Sequence, residues 1–214
     1  MKIVKPSYEI LTPIDGEEIL RHIERCGRVC YKSDDKICDG SSHKFVQSII
    51  QRGHESVLEH YSVTVHIVCD RGVMAELTRH RIASFSVESS RYCNYSGDKF
   101  GGEITVVEPC FWKDKPEMRD TWEVACTAAE AAYFYFLKHG AKPEEARSIL
   151  PMSLKTEVVM TANLREWRTV FSLRADKHAH PQMRQIMIPM LYEFAEKIPV
   201  VFDDIAERIR KQNE

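Results

Sequence analysis

Between Arg79 and Arg91 the sequence places three guanidiniums, an imidazole, several serine hydroxyls and the carboxylate of Glu88 within thirteen residues, Arg79-His80-Arg81-Ile82-Ala83-Ser84-Phe85-Ser86-Val87-Glu88-Ser89-Ser90-Arg91. An arginine presents a planar fork of donors that matches paired phosphate oxygens, and serine hydroxyls with turn amides can complete a phosphate shell. The plainer reading is a salt-bridged surface helix, and a bare Arg-His-Arg would not rise above it. Arg165, Arg168 and Arg174 form a second cationic group. The whole chain carries 30 basic against 32 acidic residues, a net charge of -2, so these cations should form local pockets within a near-neutral surface. A general nucleic-acid-binding face is not expected.

Other chemistries find less support. His54, His60, His66, His178 and His180 could suggest a metal hydrolase, but the six-residue spacing puts the first two on different sides of a helix, and no His-Glu-x-x-His is present. No metal site is expected. There is no G-x-G-x-x-G and no G-x-x-x-x-G-K-[ST], so a nucleotide would not be held by a Rossmann or P-loop turn. The seven cysteines, Cys26, Cys30, Cys38, Cys69, Cys93, Cys110 and Cys126, are odd in number, scattered and free of Cys-x-x-Cys pairs, which reads as reduced thiols. No signal-like leader or membrane-length apolar run is present, so a soluble, cytoplasmic protein is expected.

The elements that must position these groups are signalled by periodicity. Asp15 and Glu18 read as a capping box ahead of Ile19, Leu20, Ile23, Cys26, Val29 and Cys30 at helical spacing. A second helix is expected from about Ser41 to Gly53, and Tyr61 to Cys69 alternates with the period of a half-buried strand. A short helix over Gly72 to Arg79 would deliver the arginine segment, and Glu103 to Val107 reads as a strand. Pro116 opens a long helix closed by Gly140, with a stripe of Met118, Trp122, Ala125, Ala129, Ala132, Tyr133, Phe136 and Leu137 that marks it as a core helix. A short helix over Pro143 to Leu150, a strand over Leu154 to Thr161, a helix from an Asn163 cap to Arg174, and two C-terminal helices, the first kinked at Pro189, complete the pattern. Without repeats, linkers or a regular β-α-β rhythm, the chain reads as α+β: one domain over residues 1–214, with a mixed or antiparallel sheet packed with helices.

The spacing Arg79-His80-Arg81, Ser84, Ser89 and Arg91 resembles the signature of the flavin-dependent thymidylate synthases. Gly53-His54-Glu55-Ser56-Val57-Leu58-Glu59-His60 is similar to that family's upstream Gly-His-Glu segment. Arg147-Ser148-Ile149-Leu150-Pro151 resembles its Arg-x-x-Leu-Pro element. Asn163-Leu164-Arg165 and Leu173-Arg174-Ala175 resemble its distal pair. The matches follow in order over most of the chain and imply the family's fold. They also imply a homotetramer with shared active sites that converts dUMP to dTMP, with methylenetetrahydrofolate as one-carbon donor and NADPH as reductant through bound FAD.

The resemblance assigns FAD to Ser56, Arg79, His80, Arg81, Asn163 and Arg165. It assigns dUMP to Glu76, Arg79, Val87, Glu88, Ser89, Ser90, Arg91, Arg147 and Arg174, with Ser89-Ser90-Arg91 suited to the phosphate and His54 near flavin and folate. Arg174 is the residue expected to do chemistry, since a fixed guanidinium can stabilise the charge that develops through uracil N3 and O4 when C5 becomes nucleophilic. Val87 stands where relatives often carry Gln or Glu, so only a backbone contact is carried over there. Thr169 stands where relatives often have Asn or His, and no role is carried over. Pro109-Cys110 resembles the start of the Pro-Cys-His nucleophile of the unrelated cysteine-dependent enzymes, but Phe111 replaces the histidine, and Cys110 reads as a small structural hydrophobe. Two alternatives stand beside this assignment. One is a relative acting on another pyrimidine nucleotide; the other is a nucleic-acid module stacking bases on Tyr92, Tyr95 and Phe100.

Overall fold

A computed structural model describes residues 1–97 and 101–213, so Phe100 lies outside the described residues. The chain runs β1 (Lys2–Val4), β2 (Ser7–Ile10), α1 (Gly16–Arg28), α2 (Ser41–Gln51), β3 (Ser62–Asp70), α3 (Arg71–Leu77), β4 (Ala83–Val87), β5 (Thr105–Val107), α4 (Pro116–Lys138), α5 (Pro143–Ala146), β6 (Lys155–Asn163), α6 (Leu164–Arg174), α7 (Pro181–Lys197) and α8 (Asp203–Asn213), with short 3-10 turns between. Four strands form a sheet in the order β2-β3-β6-β4. β1 and β5 pair in parallel, with Lys2 opposite Thr105 and Val4 opposite Val107. Helices and strands alternate without a doubly wound order, which is the α+β architecture expected. Among the described residues no helix is long and apolar enough to cross a membrane.

The residues gather into two units. Unit 1 comprises Met1–Ser7, His66–Arg79 and Phe85–Val159; unit 2 comprises Tyr8–Val65, His80–Ser84 and Met160–Glu214. The core of unit 1 holds Tyr95, Ile104, Val106, Trp122, Cys126, Tyr133, Ala146 and Leu154. In unit 2, Trp167, Phe171, Phe194 and Phe202 are fully buried, with ring centroids 5.1 to 5.7 Å apart. Trp167 donates its indole N–H to the carbonyl of Val63 at 3.0 Å, which satisfies the one polar atom that this aromatic group buries. Gly27 on α1 lies against the ring of Phe45 on α2, where a Cβ would come within 2.5 Å of the ring.

Capping and alternation behave as the sequence indicates. Asp15 accepts from the Glu18 amide at 3.0 Å to cap α1, and Asn163 accepts from the Glu166 amide at 2.8 Å to cap α6. Val63, Val65 and Ile67 of β3 are fully buried. α7 continues as helix through Pro189.

Several expectations need correction. α1 stops at Arg28, because the chain tightens into a 3-10 turn and reverses at Lys32, φ 46°, so Val29 is 66% exposed and Cys30 is on the surface. α4 is not a core helix along its whole stripe: it buries only Trp122, Cys126 and Tyr133, while Met118, Ala125 and Phe136 are exposed. β1, β2 and β4 were not anticipated, being three to five residues long and too short to display a period. The helix expected to end at Arg79 ends at Leu77, and the residues beyond it turn into β4, so the cationic segment is not a surface helix. Tyr95 is 4% exposed within the core of unit 1, which removes it as a base-stacking surface.

Phe171 touches the other three rings of its cluster, so Phe171→Ala leaves a cavity that they cannot all fill. It should lower unfolding stability by about 3–5 kcal/mol in urea titration; a loss under about 1 kcal/mol would show the cluster can collapse around the gap.

Candidate active site

In unit 2 the Gly-His-Glu-Ser segment is built by a helix ending. Gly53 adopts φ 71°, and the amides of Gly53 and His54 return to the carbonyls of Ile50 and Ile49 at 2.9 and 2.8 Å, the double bond that closes a helix in a left-handed turn. His54 and Ser56 are left exposed on the wall of a cavity of about 850 Å³ that Arg28, Lys36, Lys44 and Arg52 also line. Between them Glu55 is held by Arg168 at 3.1 Å. Arg168 is 7% exposed and also makes a two-pronged pair with Asp204 at 2.8 Å on each side. It is therefore a buried clamp between α6, α8 and the His54 turn, not one of a set of ligand-facing cations.

His80 is the inward member of the Arg-His-Arg triplet, 6% exposed. Its Nδ1 lies 2.9 Å from Glu166 Oε1, and its Nε2 accepts from Arg174 Nε at 3.1 Å. Arg81 is exposed, and so are the apolar side chains next to the two cations, Ile82 at 68% and Leu173 at 57%. Arg165 is exposed and pairs with Glu59 at 2.6 Å, while Asn163 is half-buried and uses its side-chain oxygen as the α6 cap. Thr169 donates to the Arg165 carbonyl at 3.3 Å. Exposed guanidiniums with exposed apolar side chains nearby in the chain leave donors and apolar surface available in this unit.

In unit 1 the turn after β4 supplies a different surface. The amides of Tyr92 and Cys93 both return to the Ser89 carbonyl, at 3.1 and 2.9 Å, and the Arg91 amide meets Ser89 Oγ at 3.3 Å, which makes Ser89-Ser90-Arg91 a closed turn. Arg147 reaches it by donating to Ser90 Oγ at 3.3 Å. Arg91 donates Nε to Glu144 Oε2 at 2.8 Å, and that bond holds the Glu144 carboxyl below its ordinary range. A carboxylate thus occupies the Arg91 guanidinium.

Beneath the turn, Glu88 is directed inward, bonded to Lys155 Nζ at 2.7 Å and accepting from Tyr95 at 3.3 Å. Lys155 also bonds Glu157 at 2.6 Å, and Glu157 meets His66 at 2.9 Å. Burial works against the charge on Lys155, but the bonds from Glu157 and Glu88 outweigh it and raise its pKa. This network pins the Glu88 side chain.

The residues named from sequence therefore sort by unit. Glu76, Arg79, Val87, Glu88, Ser89, Ser90, Arg91 and Arg147 all belong to unit 1; His54, Ser56, His80, Arg81, Asn163, Arg165 and Arg174 all belong to unit 2. The structure brings Arg147 to the serine turn and Arg174 to His80. Glu144, Lys155 and Glu166 were not anticipated. The signal available for Glu166 was its place three residues after the Asn163 cap, which looks like an ordinary first-turn acid. Cys110 sits half-buried in a 3-10 turn, and burial pushes its thiol up, which fits a structural residue. Among the described residues no group of three or more His, Cys, Asp or Glu could hold a metal. His180 instead caps α7.

Comparison with known proteins gives this arrangement its class. The fold matches, with a TM-score of 0.80 at 22% identity over 95% of this chain and 96% of the other, the UMP/dUMP methylase PolB from Streptomyces cacaoi bound with 5-Br dUMP. The chain is 33% identical over 217 residues to the flavin-dependent thymidylate synthase of Mycolicibacterium vanbaalenii, covering 93% of this chain and 84% of that one. It is 34% identical over 180 residues to the enzyme of the same name from Pyrococcus furiosus, covering 84% and 71%. These similarities define a methyltransferase. The family model for thymidylate synthase complementing proteins matches residues 14–200, and the chain belongs to that family, the flavin-dependent thymidylate synthases.

Because Glu144 competes for Arg91, Glu144→Gln should tighten binding of a nucleoside monophosphate by about two- to fivefold in calorimetry, the range of an exposed ion pair. Unchanged affinity would mean that the anion does not use Arg91.

Proposed function

We propose that this enzyme converts dUMP to dTMP in the cytoplasm, taking a one-carbon unit from methylenetetrahydrofolate and reducing equivalents from NADPH through bound FAD. The observation that carries the reading is the sorting of the signature residues into two chemically distinct surfaces. One is a serine turn with Arg91 and Arg147, and the other, in unit 2, includes exposed Arg81 and Arg165, with exposed Ile82 and Leu173 next to Arg81 and Arg174 in the chain.

On this reading Ser56, Arg79, Arg81, Asn163 and Arg165 hold FAD, whose pyrophosphate calls for guanidinium donors and whose ring calls for flat apolar contact; His80, assigned there from sequence, can contribute only backbone, because its ring is buried and both ring nitrogens are engaged by Glu166 and Arg174. The Arg165–Glu59 pair is exposed, worth about 0.2–1 kcal/mol, so a phosphate can take the place of Glu59 at little cost. FAD, when bound, supplies the redox and group-transfer chemistry that side chains lack. The chain's own work is to bind, orient and polarise. The hydroxyls of Ser89 and Ser90 with Arg91 and Arg147 hold the dUMP phosphate, and Glu76 and Arg79 flank the nucleotide. Val87 and Glu88 contribute backbone, since the Glu88 carboxylate is committed to Lys155 and Tyr95. Arg174 meets the uracil edge, where a fixed guanidinium stabilises charge developing through N3 and O4 and so makes C5 nucleophilic. His54, on the wall of the cationic cavity, is assigned to the region of flavin and folate.

The chain is proposed to act as one domain over residues 1–214 and to assemble as a homotetramer with shared active sites.

The test is release of tritium from 5-tritiated dUMP, with FAD, NADPH and methylenetetrahydrofolate omitted one at a time. Release should require flavin, and release that does not would refute the assignment. Preferential turnover of 5-tritiated dCMP would move the substrate to a cytosine nucleotide. Arg174→Ala should retain flavin absorbance and lose on the order of 100-fold or more in kcat; near-normal turnover would remove its role. Arg79→Ala should weaken both dUMP and FAD binding, and unchanged affinity for each would take Arg79 away from the phosphates.

A further inference from the structure

His80 is spent in the structure on two partners that lie on one helix. Glu166 and Arg174 are eight residues apart on α6, about 12 Å along its axis, and the imidazole bridges them with Nδ1 at 2.9 Å from Glu166 Oε1 and Nε2 at 3.1 Å from Arg174 Nε. The proton inventory of this line has one solution. A guanidinium N–H only donates, so Nε2 carries the lone pair. Nδ1 then carries the proton and donates it to the Glu166 carboxylate. Both His80 and Glu166 are buried, at 6% and 8% exposure, and the Glu166 backbone is fixed by the Asn163 cap. The opposite tautomer would set two N–H groups face to face at Arg174.

We infer that Glu166 and His80 are positioning residues for Arg174: the Glu166 carboxylate fixes the Nδ1–H tautomer of His80, whose Nε2 lone pair anchors the guanidinium by its Nε. The inference rests on the proposed reaction for its consequence, since anchoring at Nε sets where the terminal Nη donors stand when a uracil carbonyl meets them. It gives His80 a role beyond holding FAD and makes Glu166 a functional residue without ligand contact.

The informative substitution is Glu166→Gln, which keeps size and helix cap but gives the position an amide that can donate to Nδ1. Donation from that amide to Nδ1 leaves the imidazole proton on Nε2, where it repels Arg174, as an amide in place of a triad carboxylate produces the wrong tautomer while leaving geometry intact; if the amide oxygen accepts from Nδ1–H instead, the tautomer is unchanged. Flavin content and the KM for dUMP should stay near wild type, while kcat for tritium release falls on the order of 100-fold. In the Arg174→Ala background the same substitution should change the residual rate little, because its effect passes through Arg174. Wild-type kcat in a Glu166→Gln protein whose His80 carries its proton on Nε2, or an equal fractional loss in both backgrounds, would overturn the inference. Nitrogen-15 NMR of histidine-labelled protein tests it without any turnover: His80 should show Nδ1 protonated in the wild type and Nε2 protonated in Glu166→Gln. An Nε2–H tautomer in the wild type would overturn it. A wild type that releases no tritium from dUMP counts against the proposed reaction, and the NMR result still decides the anchoring.

Discussion

The hydrogen bond between His80 and Glu166 sets the orientation of the whole cationic segment. Burying an imidazole and a carboxylate is unfavourable unless each finds a partner, and a bond to a charged group contributes about 1.5–3 kcal/mol once formed. With His80 turned inward, Arg81 and Ile82 are left on the surface. One inward histidine thus divides a polar run into a residue that holds the fold and residues left on the surface. Asn163 takes part from the other side, because the cap it gives α6 is made to the amide of Glu166 itself.

The arginines divide by the same principle. Arg168 is buried and its terminal nitrogens are engaged by Asp204 and Glu55, and removing either acid would leave a buried charge partly unpaired. Arg91 and Arg165 are exposed, and their carboxylate partners Glu144 and Glu59 are exposed too. Pairs of that kind hold a guanidinium in place without holding it tightly, because solvent screens them. A doubly charged phosphate offers more than a single carboxylate does, so such pairs suit a site that must exchange its own acid for a ligand.

What the sequence reveals follows from what has a period. β3 is legible because Val63, Val65 and Ile67 alternate over a nine-residue strand, and α6 is legible because Asn163 caps it. β1 and β4 have no such length, and their pairing depends on partners far along the chain. α4 misleads because an Ala-rich helix of 23 residues offers several apolar stripes and only packing selects one. Spacing shows that Arg165, Arg168 and Arg174 share a helix, but not that Arg168 turns inward to Asp204, 36 residues later. Glu166 hides for a related reason: its partner His80 is 86 residues away, and nothing local distinguishes it from an acid favoured at a helix start.

The thiols bear on how the protein can act. Burial pushes Cys69 up to about 12 and also raises Cys110 and Cys126. A thiol is a nucleophile only as its thiolate, so burial disfavours the reactive form of these three. Tethered guanidiniums are suited to catalysis by placement of charge. Preorganised donors contribute in proportion to how little they must move when charge develops. For Arg174 an imidazole held in one tautomer contributes to that rigidity, so the acid on the far side of His80 bears on the reach of the cation.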